Sequence, residues 1–409
     1  MSEFTDYLIV GGGIASASAG SAIRNRDKSG RIVVISKENH VPYDRTPLSK
    51  DYLRGEKQEG DLYLNKDRYY ARRKIEIIQD QVATDLQLGE RSVKLDDGRK
   101  FEFKSLLLAT GGNPRRLDLR GTDLEGFCYL RTIEDSDALK QKMRKAKSAV
   151  VIGGGFIGCE VASALVSSGV DTTVIEAGQY LLNTSIDEET GRWLQNHYEK
   201  KGLHVLTETG VSEICGSGGR LTSVRTTYGR EIPADLVVAG IGIVPNTELA
   251  RNAGLEVNNG IVVNGYLESA NAPGIFAAGD AAKFYSPIYQ RYMRVEHYDV
   301  AVKQGSIAGA NMTGEHLPFD ELPYFFSDQF GLEINAFGDL SRRTLVIKKD
   351  ILNEKDGFLQ YYFDGDTLCG ALAVNKEWEE IELARDLVLL RKKFGELIPK
   401  VKRNQILAS

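Results

Sequence analysis

Two copies of one glycine motif constrain this chain more than any other feature. Gly11-x-Gly13-x-x-Ser16 follows the apolar run Tyr7-Leu8-Ile9-Val10, and Gly153-x-Gly155-x-x-Gly158 follows Ala149-Val150-Val151-Ile152. Each leads through a helix-like segment, near residues 15–26 in the first copy, to a second apolar run: Ile32–Ile35 and then Thr172-Thr173-Val174-Ile175. In such a unit the first glycine permits a tight strand-to-helix turn. The second lets the backbone approach a pyrophosphate, and the third position needs a small residue where helix meets strand. Ser16 is small enough for that place. The helix N-terminus offers the phosphates unpaired N–H groups and a partial positive charge. One motif alone is often an ordinary glycine-rich turn. Two in one chain point to two dinucleotides, and so to electrons passing from one to the other.

The surroundings of the motifs are duplicated too. After the first, Asp97-Gly98 between alternating apolar positions predicts a hairpin of residues 93–95 and 101–103. A buried strand Leu106-Leu107-Leu108-Ala109 then ends at Thr110-Gly111-Gly112. After the second, a hairpin at Tyr228-Gly229 precedes Leu236-Val237-Val238-Ala239 and Gly240-Ile241-Gly242. Beyond Pro245, Ile261-Val262-Val263 and Gly274-Ile275-Phe276-Ala277-Ala278 lead to Gly279-Asp280, with Ala281-Ala282 read as a possible helix start. From about Pro323 the pattern changes to aromatic strands (Phe358, Tyr361, Tyr362, Phe363) and an amphipathic helix near residues 377–393. The expected fold is α/β, with two Rossmann-like dinucleotide-binding domains and a C-terminal α+β domain.

Composition excludes several classes. A formal net charge of −5 over 409 residues argues against a nucleic-acid partner. Cys128, Cys159, Cys215 and Cys369 are too far apart for a disulfide framework or a zinc spacing, which favours a reducing compartment and no metal site. The uncharged run from Tyr7 to Ile23 is broken by glycine and serine and preceded by Glu3 and Asp6. It reads as neither a membrane span nor a signal peptide, so a cytoplasmic location is expected. Lys392, Lys393, Lys400, Lys402 and Arg403 read as a solvated helix face and terminus.

An acidic residue about 20 positions beyond the glycines binds an adenosine ribose in this motif. Glu176 stands there in the second copy. Its carboxylate accepts from a 2′-hydroxyl and repels a 2′-phosphate, which predicts NADH rather than NADPH. In the first copy the strict position reads Lys37, leaving Glu38 or a backbone group for that task. Asp280, at the end of an apolar strand, is placed to accept hydrogen bonds from the ribityl hydroxyls of a flavin, to cap a helix, or both.

The segment Pro42-Tyr43-Asp44-Arg45-Thr46-Pro47-Leu48-Ser49-Lys50 resembles the PYxRPPLSK stretch of the ferredoxin reductases of bacterial oxygenase systems. That family includes putidaredoxin and rubredoxin reductases and is related to apoptosis-inducing factor. Tyr129-Leu130-Arg131-Thr132, the GGGFIGCE stretch at residues 153–160, AGIGIVPN at 239–246, Ala278-Gly279-Asp280, Arg294-Val295-Glu296-His297 and Ser327-Asp328-Gln329 match as well. The resemblance implies a glutathione-reductase-type arrangement. A discontinuous FAD domain would span 1–113 and 246–322, an NAD domain 114–245 and a C-terminal domain 323–409. It implies tightly but non-covalently bound FAD contacted by Ala15, Lys50, Val82, Arg131, Asp280 and Tyr298. By the same matches, Arg45, Ala109, Thr110, Gly111, Glu296, His297 and Phe326 join that side. Glu160, Glu176 and Gly242 are implied on the nicotinamide side, with Phe156 and Ile157 beside them. Lys50 and Glu160 are implied as an ion pair near the flavin. A cation there stabilises anionic reduced flavin, and a buried lysine needs a partner.

Two absences sharpen the reading. Residues 40–50 hold no redox cysteine, and the last histidine is His316, so the His–Glu pair of dithiol reductases is missing. Cys159 reads as a packing residue. The family tryptophans are replaced in Pro323-Tyr324-Phe325-Phe326. The expected activity is electron transfer from NADH through FAD to a ferredoxin- or rubredoxin-type iron–sulfur protein, by a monomer or homodimer. Arg342, Arg343, Lys348 and Lys349 are read as a docking patch. Oxygen, quinone or monodehydroascorbate reduction, or a redox-switched scaffold, are the alternatives. His297 is expected to act structurally rather than as an acid or base.

Overall fold

The computed structural model describes residues 2–348 and 357–393. They group into two compact units: Met1–Asp44 with Glu59–Asn113 and Ile243–Pro323, and Arg45–Gln58 with Pro114–Gly242 and the described part of Tyr324–Ser409.

The first unit is built on a seven-stranded sheet. Strand Glu3–Val10 lies between Ile32–Ile35 and Lys100–Leu108, parallel to both. Ile75–Ile78 extends one side in parallel. Lys100–Leu108 is one strand, not the separate segments 101–103 and 106–109 expected from the sequence. Its first half pairs antiparallel with Ser92–Leu95 across the Asp97-Gly98 turn, and its second half pairs parallel with Ile275–Ala277. Two partners share one edge of the strand. The first half alternates in exposure and the second is wholly buried.

Helix Ile14–Arg26 packs on helix Tyr298–Met312 at a distance only glycine allows. A Cβ on Gly305 would lie 2.1 Å from Ala15 O, and one on Gly309 2.5 Å from Ala19 O. The helix expected at Ala281-Ala282 does not form. Gly279–Ala281 is a single 3-10 turn, and Ala282–Ser286 is a strand paired with Ile261–Val263. Alternating burial along that strand favours the pleat over a helix.

The second unit carries a wholly parallel sheet in the order His204–Leu206, Asp171–Ile175, Ser148–Ile152, Leu236–Ala239, Phe127–Cys128. A three-stranded antiparallel sheet includes the Tyr228-Gly229 hairpin. A five-stranded antiparallel sheet runs Tyr324–Gln329, Leu332–Gly338, Thr367–Val374, Phe358–Asp364, Leu345–Lys348. Helix Trp378–Leu389 buries Ile381, Ala384 and Val388. It is shorter than the expected 377–393, for the chain turns at Arg391 with φ +46°. Arg45–Gln58 belongs to this unit, and hydrogen bonds tie it there. Ser136 Oγ donates to Leu48 O at 2.9 Å, and Tyr52 OH donates to Asp137 Oδ1 at 2.8 Å.

Candidate functional site

The first motif turn is fixed by strand ends. Gly11 N donates to Ile35 O at 2.8 Å, its φ is +124°, and a Cβ there would sit 2.1 Å from Ala109 O. Gly13 caps helix Ile14–Arg26 with no side-chain hydrogen bond and no acidic residue in the first turn. A Cβ on Gly13 would meet nothing within 4 Å. The helix N-terminus therefore opens onto free space of the kind a pyrophosphate fills. Ala15 and Ser16 are buried behind it, and Ser16 Oγ is enclosed without a hydrogen-bond partner.

At the end of Ile32–Ile35 the register differs from the sequence expectation. Gly153 N donates to Ile175 O as Gly11 N does to Ile35 O, so the residue matching Glu176 is Ser36, not Lys37. Lys37 is exposed. Glu38, half-buried, accepts from Tyr43 OH at 2.6 Å, and Ser36 Oγ donates to the Glu38 carbonyl at 3.1 Å.

The other residues expected on this side in the first unit lie at element ends. Asn246 ties Thr110 and Gly111: Thr110 Oγ1 donates to Asn246 O at 2.6 Å, Asn246 Nδ2 to Thr110 O at 2.9 Å, and Asn246 N to Gly111 O at 2.9 Å. Gly279 N donates to Gln304 Oε1 at 2.8 Å, with φ +74°, which presents Asp280 half-exposed on the 3-10 turn. That turn is capped by Ala278 without a side-chain bond, so the capping alternative for Asp280 is not realised. Val82 is exposed, and its N–H and carbonyl pair with Asp96. Glu296 accepts from Arg294 Nη1 at 2.6 Å. His297 caps helix Tyr298–Met312. Desolvation lowers its imidazole to about 4, with Asp280 opposing. Burial raises the Tyr298 hydroxyl to about 12.

The second turn repeats the geometry in the second unit. Gly153 has φ +102°, and a Cβ on it would lie 2.5 Å from Gly240 O. Gly155 caps helix Phe156–Ser167 with no side-chain bond and open space around its Cα. A Cβ on Gly158 would fall 2.0 Å from Gly153 O, so nothing larger fits. The Glu176 carboxylate accepts from Gly154 N at 2.6 Å, Gly178 N at 2.6 Å and Asn183 Nδ2 at 3.0 Å. A carboxylate has about four acceptor positions, so one is left for a ligand hydroxyl. Gly242, with φ +87°, is also open, and Ile157 is exposed.

Lys50 and Glu160 meet inside this second unit. The 3-10 turn Thr46–Ser49 and helix Phe156–Ser167 bring Lys50 Nζ to 3.4 Å from Glu160 Oε1, both side chains being about 5% exposed. Burial pushes the Glu160 carboxyl above the ordinary carboxylate range, while Lys50, Ser327 and Ser49 pull it back. Lys50 Nζ also stands 4.6 Å from the centre of the Phe326 ring, a cation–π distance, and that ring is 37% exposed. Arg45 Nη1 donates to Arg131 O at 2.9 Å, ahead of a capping box at Thr132 and Asp135.

Sequence reading missed the partners of Glu160. Phe156, Glu160 and Ser163 form one stripe of the helix and meet Phe325, Ser327 and Phe330 of strand Tyr324–Gln329 and its turn. The stripe spacing of four and three residues was there to find, but a stripe of one aromatic and two polar residues on an apolar helix points at no particular partner. Asn183, in the loop after Glu176, had no signal.

The cysteines carry no disulfide, and burial pushes the thiols of Cys128 and Cys159 up. Cys159 is fully buried, which suits a packing role. The expected basic patch is corrected. Arg343 donates to the carbonyls of Leu340 and Ile186, and Lys348 is buried against Glu189. Only Arg342 is exposed there, and Lys349, like Lys400, Lys402 and Arg403, lies outside the described residues. Among the described residues no helix is long and apolar enough to cross a membrane.

The chain is similar to known proteins along most of its length. The family model for pyridine nucleotide-disulphide oxidoreductases matches residues 5–305. Putidaredoxin reductase of Pseudomonas putida is 32% identical over 385 residues, covering 93% of this chain and 90% of that protein. A rubredoxin-NAD(+) reductase of Pseudomonas putida is 34% identical over 333 residues, covering 81% and 86%. The crystal structure of a covalent putidaredoxin reductase–putidaredoxin complex superimposes with a TM-score of 0.90 at 31% identity, covering 98% of this chain and 99% of that one.

Proposed function

The chain belongs to the pyridine nucleotide-disulphide oxidoreductase family, and from that premise we propose that it is an FAD-containing NADH reductase serving a ferredoxin- or rubredoxin-type iron–sulfur protein. The observation that carries the reading is the pair of helix N-termini at Gly13 and Gly155, neither closed by a side-chain hydrogen bond and each facing free space. Two such cradles fit two pyrophosphates. When bound, FAD supplies a carrier that accepts two electrons together and releases them singly.

The chain's own residues bind, orient and neutralise. Gly11 and Gly13 would shape the FAD cradle, with Glu38 taking its adenosine ribose and Asp280 its ribityl hydroxyls. Gly153, Gly155 and Gly158 shape the NADH cradle. The fourth acceptor position of Glu176 takes the 2′-hydroxyl, and its charge disfavours a 2′-phosphate. Lys50 would supply positive charge to bound flavin, with Glu160 as its counter-charge. The neutral imidazole of His297 fits a structural role. The four free cysteines, three of them buried, support a direct route from flavin to acceptor and a cytoplasmic location.

The test is NADH oxidation with a panel of ferredoxins, rubredoxin, quinones and dissolved oxygen. Turnover that requires an iron–sulfur protein supports the assignment. Fast turnover with oxygen or a quinone alone overturns the choice of acceptor.

A further inference from the structure

Glu160 is held by more than Lys50. Ser49 Oγ donates to its Oε2 and Ser327 Oγ to its Oε1, each at 2.5 Å. Behind Ser327, Gln329 Nε2 donates to Ser327 Oγ at 2.8 Å, and Tyr198 OH donates to Gln329 Oε1 at 2.7 Å. Ser327 and Gln329 are two residues apart on one strand, so both face inward, and both are 1% exposed. Tyr198 is fully buried and stacks on Phe330 at 4.5 Å between ring centres.

The direction of this chain is set at Glu160. An ionised carboxylate only accepts, so the single hydroxyl hydrogen of Ser327 is committed to it. Ser327 Oγ is then left as an acceptor and needs a donor, which the amide supplies through Nε2. That leaves Gln329 Oε1 turned to Tyr198, whose hydroxyl must donate. Every hydrogen bond runs toward Glu160. A protonated Glu160 would donate from one of its two oxygens and would reverse the bond there, to Ser49 at Oε2 or to Ser327 at Oε1. Aligned bonds in a site shielded from water strengthen one another.

We propose that Ser327, Gln329 and Tyr198 are positioning residues, a one-way relay of hydrogen-bond donors that fixes the charged Glu160 carboxylate and through it Lys50 Nζ. The relay rests on the functional reading above for its purpose, but its geometry lies wholly within the second unit. Ser49 completes it from the other side, and its neighbour is Lys50 itself, so the carboxylate and the ammonium are placed by one turn of chain.

The test reads the charge on Glu160 directly. Infrared spectra of the protein as isolated, taken across a pH series, give the pH at which the carbonyl band of the protonated acid appears. That band is identified by its absence in Glu160→Gln. Flavin content is measured on the same samples. Ser327→Ala is expected to move the transition up by about one pH unit, the worth of one charge-assisted hydrogen bond. Ser327→Thr, which keeps the hydroxyl, is expected to match the parent. Gln329→Met touches Glu160 only through Ser327. It should give a smaller upward shift, and adding it to Ser327→Ala should move the transition no further. An unmoved transition in Ser327→Ala, or a Gln329→Met shift that adds in full, overturns the relay. A colourless protein with the expected shifts removes the functional reading and leaves the relay. A yellow protein without them does the reverse.

Discussion

In both glycine turns a backbone N–H reaches a neighbouring strand at 2.8 Å, Gly11 to Ile35 and Gly153 to Ile175. Both first glycines have positive φ, and both helices start at an open, uncapped glycine. The turns part at the third position and at the end of the second strand. Ser16 carries a buried, unpartnered hydroxyl where Gly158 tolerates no Cβ at all. Ser36 stands where Glu176 holds three hydrogen bonds. Under the proposed function, the shared part is the place for phosphates. The part that differs would then make one place a settled seat and the other a discriminating one.

The largest test of that comparison is steric. Gly158→Ala is expected to cost about 3 kcal/mol in urea unfolding, the upper end for overpacking. Ser16→Ala in the flavin-free protein should be neutral or slightly stabilising, since it removes an unpartnered buried hydroxyl. Equal costs at the two positions would mean the helices approach their strands alike. Acid should separate the units next. The folded first unit keeps His297 neutral down to about pH 4, while the unfolded chain binds the proton from its ordinary value of 6.5. Stability is therefore full above 6.5 and lost progressively toward 4, by roughly 2–3 kcal/mol. Glu160 in the second unit is raised, so its protonation on acidification favours the fold instead. Hydrogen exchange between pH 7 and pH 5 should show protection falling in the first unit and not in the second. A uniform loss would contradict this.

The smallest of these effects is on recognition. Glu176→Gln should weaken NADH binding by about 2 kcal/mol, or roughly thirtyfold, and narrow the preference over NADPH. KM values for both nucleotides measure it. Glu38→Gln should leave that ratio where it was if, as proposed, Glu38 serves the other dinucleotide.

What the sequence carried and what it hid follow from range. Turns, caps and fully buried strands are local. Ile32–Ile35, Leu236–Ala239 and the Asp97-Gly98 hairpin could therefore be read from residue type alone. Lys100–Leu108 was split in reading because its unity depends on partners from two distant segments. Ala282–Ser286 was misread because alanine suits a helix until a neighbouring strand claims it. The site shows the same divide. Glu176 lies at a fixed offset from its glycines, and Lys50 and Glu160 came through resemblance. Ser327, Gln329 and Tyr198 are joined only by tertiary structure, as are the Glu189 and Ile186 contacts that remove Lys348 and Arg343 from the expected patch.

The most direct measurement is an anaerobic titration of the purified protein followed at the flavin absorbance, before and after alkylation of its thiols. The account predicts a yellow protein bleached by about one equivalent of NADH per flavin, far faster than by NADPH, with alkylation changing nothing. A colourless protein that FAD cannot reconstitute, or bleaching abolished by blocking a thiol, would contradict it.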